Sequence, residues 1–266
     1  MIDFAGKVKR GLPLDDILII DSHCHLGLWA GFHGPKETAE DMMVNMDALG
    51  INMVCISSHA AIGPNYIYGN SLVIETVKKY PERFIGYVSI NPNYPEGIKA
   101  EIDRCFKIPQ MRGIKVHPDF HKCTLDYKYY HIAYEEANVR GCPVLMHTWG
   151  MNSLYAVDRV AGMYPKANFI IGHAGGSDIR VMEKAIELVN KHSNLYLDLV
   201  LSMVYQGNVE WFVKETGSKK VLFGTDMPFF DASFNLGRIA LAEISDDEKK
   251  DIFGLNMKKL IEWGQS

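Results

Sequence analysis

The chain has 266 residues, 47% of them hydrophobic and 23% charged, with a formal net charge of −4 at pH 7. This composition suits a globular protein with a sizeable core, and without a basic tract there is no electrostatic case for nucleic acid or an anionic membrane as partner. No apolar run approaches the roughly 18 residues of a membrane span.

Residues 1–7 lack the apolar core of a signal peptide. The five cysteines form no CxxC pair and read as reduced thiols, so a cytoplasmic location is expected. The first strand-like run, Ile17-Leu18-Ile19-Ile20, continues through Asp21 and Ser22 into His23-Cys24-His25. Residues two apart on a strand share a face, so His23 and His25 stand side by side and Cys24 turns away. A glycine- and aromatic-rich loop over 26–35 leads to a helical pattern at 37–49. Strand and helix patterns then alternate: strand 52–59 and helix 71–80, strand 83–90 and helix 96–106, strand 113–118 and helix 129–140. Strand 143–147 pairs with helix 154–163, strand 168–173 with helix 179–191, and strand 195–201 with helix 209–215. The eighth strand spans 221–226. From 244 on the chain reads as helical, with Ser245 and Glu248 spaced as a capping box.

Short apolar strands alternating with amphipathic helices are the mark of parallel βα units. Eight such units predict an α/β fold, a (β/α)8 TIM barrel formed by residues 1–266 as a single domain. An open doubly wound sheet would need a phosphate-binding glycine turn after the first strand, and His-Leu-Gly-Leu-Trp is not one.

In such barrels the chemistry gathers at the C-terminal ends of the strands. Six of the ten histidines fall there: His23, His25, His59, His117, His147 and His173. With Asp226, which ends the eighth strand, His23, His25 and His147 make a nitrogen-rich set suited to Zn²⁺ with one open position. The same donors accept Mn²⁺, Fe²⁺ or Co²⁺. Such an ion activates water or polarises a carbonyl, and Asp226 beside it is placed to relay a proton.

Five motifs, in order, carry a family resemblance: Ile20-Asp21-Ser22-His23-Cys24-His25, Gly113-Ile114-Lys115-Val116-His117-Pro118, Met146-His147, Gly172-His173-Ala174-Gly175-Gly176 and Phe223-Gly224-Thr225-Asp226-Met227-Pro228. Together they resemble the amidohydrolase-related metal-dependent hydrolases, and most nearly the branch that contains aminocarboxymuconate-semialdehyde decarboxylase and other nonoxidative aromatic-acid decarboxylases. The stretch 254–260 is similar to that family's C-terminal helix. The resemblance implies one divalent metal, zinc first, on His23, His25, His147 and Asp226. It also implies that His173 activates metal-bound water or steadies the substrate, and that the chain forms a homodimer.

Lys115 departs from the decarboxylase pattern. Several binuclear members of the family carry a carboxylated lysine here that bridges a second metal, so a carboxylated Lys115 is one reading. The others are a cationic anchor for a substrate carboxylate and a structural ion pair with Asp21 or Asp226. His117, on the same face, either binds substrate or caps the loop at Pro118. Trp29, Phe32, His33 and Trp149 lie in loops at the pocket rim, where they can stack on a flat ring or simply pack. His59 is expected to be structural, with substrate contact as the alternative. Asp198 and Glu75 read as structural or solvated, and Asp231 either reaches the mouth or caps a loop. His121, His131 and His192 are assigned no role.

The expected activity is hydrolysis of an amide, ester or lactone bond of a small molecule, with His173 and Asp226 handling protons. The alternative is nonoxidative decarboxylation of an unsaturated or aromatic acid anchored by Lys115 or His117. A third reading is a metal-binding barrel without turnover.

Overall fold

The strands run β1 (Ile20–Leu26), β2 (Met53–Ser58), β3 (Phe84–Ser89), β4 (Met111–Val116), β5 (Pro143–Met146), β6 (Asn168–Ile171), β7 (Leu195–Asp198) and β8 (Val221–Leu222). They form one sheet in sequence order, and every neighbouring pair is parallel. The computed structural model describes residues 2–29, 37–200 and 205–264. The chain beyond β8 closes the barrel against β1: Ser22 N donates to Phe223 O at 2.9 Å, and Asp226 N to His23 O and His25 N to Met227 O at 2.8 Å each. The expected (β/α)8 barrel is the fold observed.

Strand parity decides what faces inward. Ile20, Cys55, Tyr87, Leu145, Ile170 and Leu222 form an inner cluster closed at the N-terminal end by Met257, Leu260 and Ile261. Residues of opposite parity, such as Val54, Ile56, Ile114 and Val144, pack outward against the helices. The Tyr87 hydroxyl donates to Ser22 O at 3.0 Å, satisfying a polar group that would otherwise be costly so deep in the barrel.

The helices after the strands stand close to their expected places, for example Ala39–Leu49, His131–Arg140 and Ile179–Lys191. Helix Ala232–Leu241 was not expected. Gly237 weakens its intrinsic preference, and the helix depends on an Asp231 cap that accepts from Ser233 N and on burial of Leu236 and Ile239. Asp231 is therefore a cap. The C-terminal helical stretch divides into Asp246–Lys250, a π turn at Asp251–Leu255 and Asn256–Ile261, with the Ser245–Glu248 capping box formed. Gly254 sits in the π turn, where a Cβ would meet Leu18 O at 2.4 Å. Among the described residues no helix is long and apolar enough to cross a membrane.

Candidate metal and substrate site

β1 delivers His23 and His25 to the C-terminal mouth with ring centroids 5.2 Å apart. Asp226 arrives from the turn after β8 in the left-handed region, φ 61°, which a non-glycine residue adopts only when its surroundings enforce it. Its Oδ1 lies 3.0 Å from His25 Nε2 and 3.8 Å from His23 Nε2. One donor atom from each of the three lies within 4.8 Å of the others, and all three residues are buried.

Among the described residues Asp226 Oδ1 makes no well-formed hydrogen bond, although His25 Nε2 stands within ion-pair distance. Burial raises the Asp226 carboxyl, yet His25, His23 and His173 outweigh it and hold the group well below the usual carboxylate range. A buried anionic oxygen without a donor, facing two imidazole nitrogens, fits a divalent cation.

The far sides of the rings support this. His23 Nδ1 donates to the buried Asp198 Oδ2 at 2.8 Å, leaving Nε2 as the lone pair. Ser57 Oγ stands 3.1 Å from His25 Nδ1. Metal-binding histidines are usually braced in this way through the nitrogen that does not bind. Burial, then Lys115, pushes His23 well below its ordinary pKa, so it is neutral. Asp198, read from sequence as structural or solvated, is fully buried; its Oδ1 accepts from His173 N at 2.8 Å and Val200 N at 3.2 Å. β7 ends at Asp198, short of the 201 expected from the sequence.

His173 and Ala174 both adopt positive φ, at 57° and 46°. The turn is possible because Gly172 precedes it, where a Cβ would stand 2.5 Å from Met146 O. Burial chiefly, and then His147, hold His173 at about 4, leaving it neutral, with Nε2 3.1 Å from His147 Nδ1. His147 lies in the same cavity but outside the close trio. Its Nε2 is 3.3 Å from Asp119 Oδ2, and its ring stacks on His117 at 3.9 Å.

Lys115 is buried on the Nε2 side of His23, donating from Nζ to that nitrogen at 2.9 Å, so its hydrogen-bond partner is an imidazole and not Asp21 or Asp226, the carboxylates of the ion-pair reading. Burial brings its amine down to about 8, against the pull of Asp226 and Asp198. Among the described residues it is not part of the cavity wall.

That cavity holds about 210 Å³ above the trio, walled by Trp29, His59, His117, Phe120 and Phe229. Trp29 packs on Phe120 at 4.6 Å and on His59 at 4.9 Å. Trp149 is 48% exposed and meets His173 edge-on at 5.8 Å, which places it on the rim. Phe32 and His33 lie outside the described residues. His59 no longer belongs to β2: it opens the helical turn His59–Ile62, and Nδ1 donates to Gly27 O at 2.7 Å. Burial holds it at about 3, so the ring is neutral. His121, His131 and His192 are hydrogen-bonded to Tyr130, Tyr164 and Asp158, away from the cavity. A larger cavity of about 590 Å³ lies elsewhere, beside Ala39, Tyr68 and Lys79. Sequence reasoning missed Asp119, Phe120 and Phe229 as neighbours of the site; their one signal was position just beyond a strand end carrying a histidine or aspartate.

A parallel eight-stranded barrel with two β1 histidines and the β8 aspartate converging at its C-terminal mouth defines a metal-binding barrel. The Amidohydrolase family model matches residues 20–262, and the chain belongs to that family. A curated relative, 2-amino-3-carboxymuconate-6-semialdehyde decarboxylase of Dictyostelium discoideum, is 24% identical over 229 residues, covering 71% of this chain and 64% of the relative. The chain thus spans somewhat under two thirds of that relative. Among solved structures, 5-carboxyvanillate decarboxylase from Sphingomonas paucimobilis superposes with a TM-score of 0.73 at 14% identity, covering 93% of this chain and 99% of the other. Dihydroxybenzoic acid decarboxylase from Polaromonas, with bound manganese and 2-nitroresorcinol, gives 0.76 at 19% identity, with coverages of 92% and 97%.

These similarities overturn the expectation of hydrolysis in favour of its alternative, because all three of these proteins are decarboxylases by name. The reason for the error is chemical: one set of metal ligands on one scaffold hosts both reactions.

Proposed function

We propose that this chain is a divalent-metal-dependent, nonoxidative decarboxylase of a small planar carboxylic acid. The observation that carries the reading is the unpartnered Asp226 Oδ1 facing His23 and His25 beneath a cavity of about 210 Å³. His23, His25 and Asp226 would hold the ion, and His147, the fourth ligand expected from the sequence, lines the same cavity. The donor set accepts zinc or manganese, and manganese in the Polaromonas structure supports the latter. A bound cation would supply the positive charge that holds the acid's oxygens and stabilises negative charge developing on the substrate.

Net reaction breaks the bond from carbon to the carboxylate, which leaves as CO₂, and forms a C–H bond with one proton taken up. His173 and Asp226 face the cavity and are the groups placed to hold that proton. His173 is placed for the task as a neutral relay, its Nε2 3.1 Å from His147 Nδ1 in the cavity wall. Trp29, Phe120 and Phe229 exclude water and offer faces for a flat acid. Lys115 stays an unmodified amine in this reading, and its Nζ, which now donates to His23 Nε2, would give up that bond when the nitrogen takes the ion.

The test is CO₂ release from a panel of aryl and unsaturated acids by protein loaded with Mn²⁺ or Zn²⁺. Release from at least one acid is expected, lost on chelation and lowered by at least about a hundredfold in His23→Ala. Release unaffected by chelation, or none from any acid with full metal occupancy, would refute the proposal.

A further inference from the structure

Two buried ring nitrogens of residues in the cavity wall, His59 Nε2 and His117 Nδ1, have no hydrogen-bond partner among the described residues. Native folds satisfy nearly every buried polar atom, so an orphan of this kind needs an explanation. His59 is the better defined of the two. Its ring is clamped between His25, at 4.6 Å and 20°, and Phe229, at 4.3 Å and 13°. A backbone carbonyl only accepts, so the contact with Gly27 O fixes a proton on Nδ1 and leaves Nε2 as a lone pair. The ring cannot turn over without giving up that bond. The acceptor is therefore held in place, 96% buried by residue since only 4% of His59 is exposed, in the wall of the cavity that holds the metal-ligand candidates.

We infer that His59 selects the substrate: Nε2 accepts a hydrogen bond from a hydroxyl or amino hydrogen on the acid, so the site takes planar acids that carry such a donor. The acid itself rests on the decarboxylase reading; the hydrogen bond does not. An acid lacking the donor leaves Nε2 dry and unpaired, and sites built around a buried polar group reject such analogues strongly. The cavity, about 210 Å³, is smaller than the roughly 300–1,000 Å³ of pockets for drug-sized ligands, which limits the ligand to about a single ring.

The test measures binding, so it does not require turnover. Calorimetry on metal-loaded protein compares the monohydroxybenzoates, each against its monofluoro counterpart, which has similar shape and no donor. Two variants separate the roles of the ring. In His59→Asn the amide nitrogen stands in for Nδ1 and keeps the Gly27 bond, while nothing replaces Nε2. In His59→Gln the longer amide can again reach the place of Nε2. Wild type is expected to prefer one hydroxy acid over its fluoro partner by at least about tenfold, the value of one hydrogen bond. The preference should fall to near unity in the Asn variant and return in part in the Gln variant.

An Asn variant that keeps the preference, or a wild type with none in any pair, overturns the inference. A preference abolished by His59→Asn without CO₂ release from any acid would sink decarboxylation and leave this role of His59 standing. CO₂ release with the preference intact in the Asn variant would do the reverse.

Discussion

Replacing Asp198 with Asn is the sharpest probe of the metal reading, because it exchanges one oxygen for an NH₂ group and changes nearly no volume. Asp198 Oδ1 accepts from two backbone groups, His173 N at 2.8 Å and Val200 N at 3.2 Å. Turning an amide NH₂ towards them would leave donors facing donors, at about 1–3 kcal/mol for each buried group left unsatisfied. The Asn oxygen must therefore keep that side, and its NH₂ faces His23 Nδ1, 2.8 Å away in the present structure. His23 then either loses its brace or moves its proton to Nε2, which removes the lone pair aimed at the ion. Losing such a brace typically costs tenfold to a hundredfold in metal affinity, about 1.4–2.7 kcal/mol. Competition with a chromophoric chelator at neutral pH would read it for Zn²⁺ and Mn²⁺, with circular dichroism to establish folding. A folded Asp198→Asn protein with undiminished affinity for both ions would show that His23 Nε2 is not a ligand.

Lys115→Met removes a buried amine that occupies His23 Nε2; metal affinity in the same competition assay should rise by about tenfold, one hydrogen bond's worth, and a fall would mean that Lys115 helps to hold the ion. Away from the site, buried His121 donates to Ile62 O at 2.9 Å and is held at about 4 by burial. Its folded pKa lies below the unfolded value of about 6.5, so the unfolded chain binds more protons between the two. This contribution is present above pH 6.5 and is lost as pH falls towards 4, on the order of 3 kcal/mol. Urea unfolding should therefore show a decline over that window that is shallower by this amount in His121→Gln; parallel profiles would refute the assignment.

Hydrophobic period and spacing were sufficient for the barrel because they are local: alternation within a few residues marks a strand, and eight strand–helix repeats leave few ways to bury both faces of the sheet. The helix at Ala232–Leu241 escaped because Gly237 obscures its preference and its stability comes from packing against the distant core. Position at strand ends was also enough to bring out the histidines and Asp226 as candidates.

Roles within that set could not be read along the chain. Strand parity puts His59, His117 and His147 at the mouth alike, whereas distances measured across the barrel separate His23, His25 and Asp226 from the rest. Asp198 acquires its meaning only by reaching His23, 175 residues away in sequence. Lys115 likewise meets an imidazole, a partner that none of its three readings from the sequence named. The choice between hydrolysis and decarboxylation was out of reach for a related reason: it depends on what fills the space above the ion. That space is shaped by Trp29, Phe120 and Phe229, side chains from three separate segments that become neighbours only when the barrel closes.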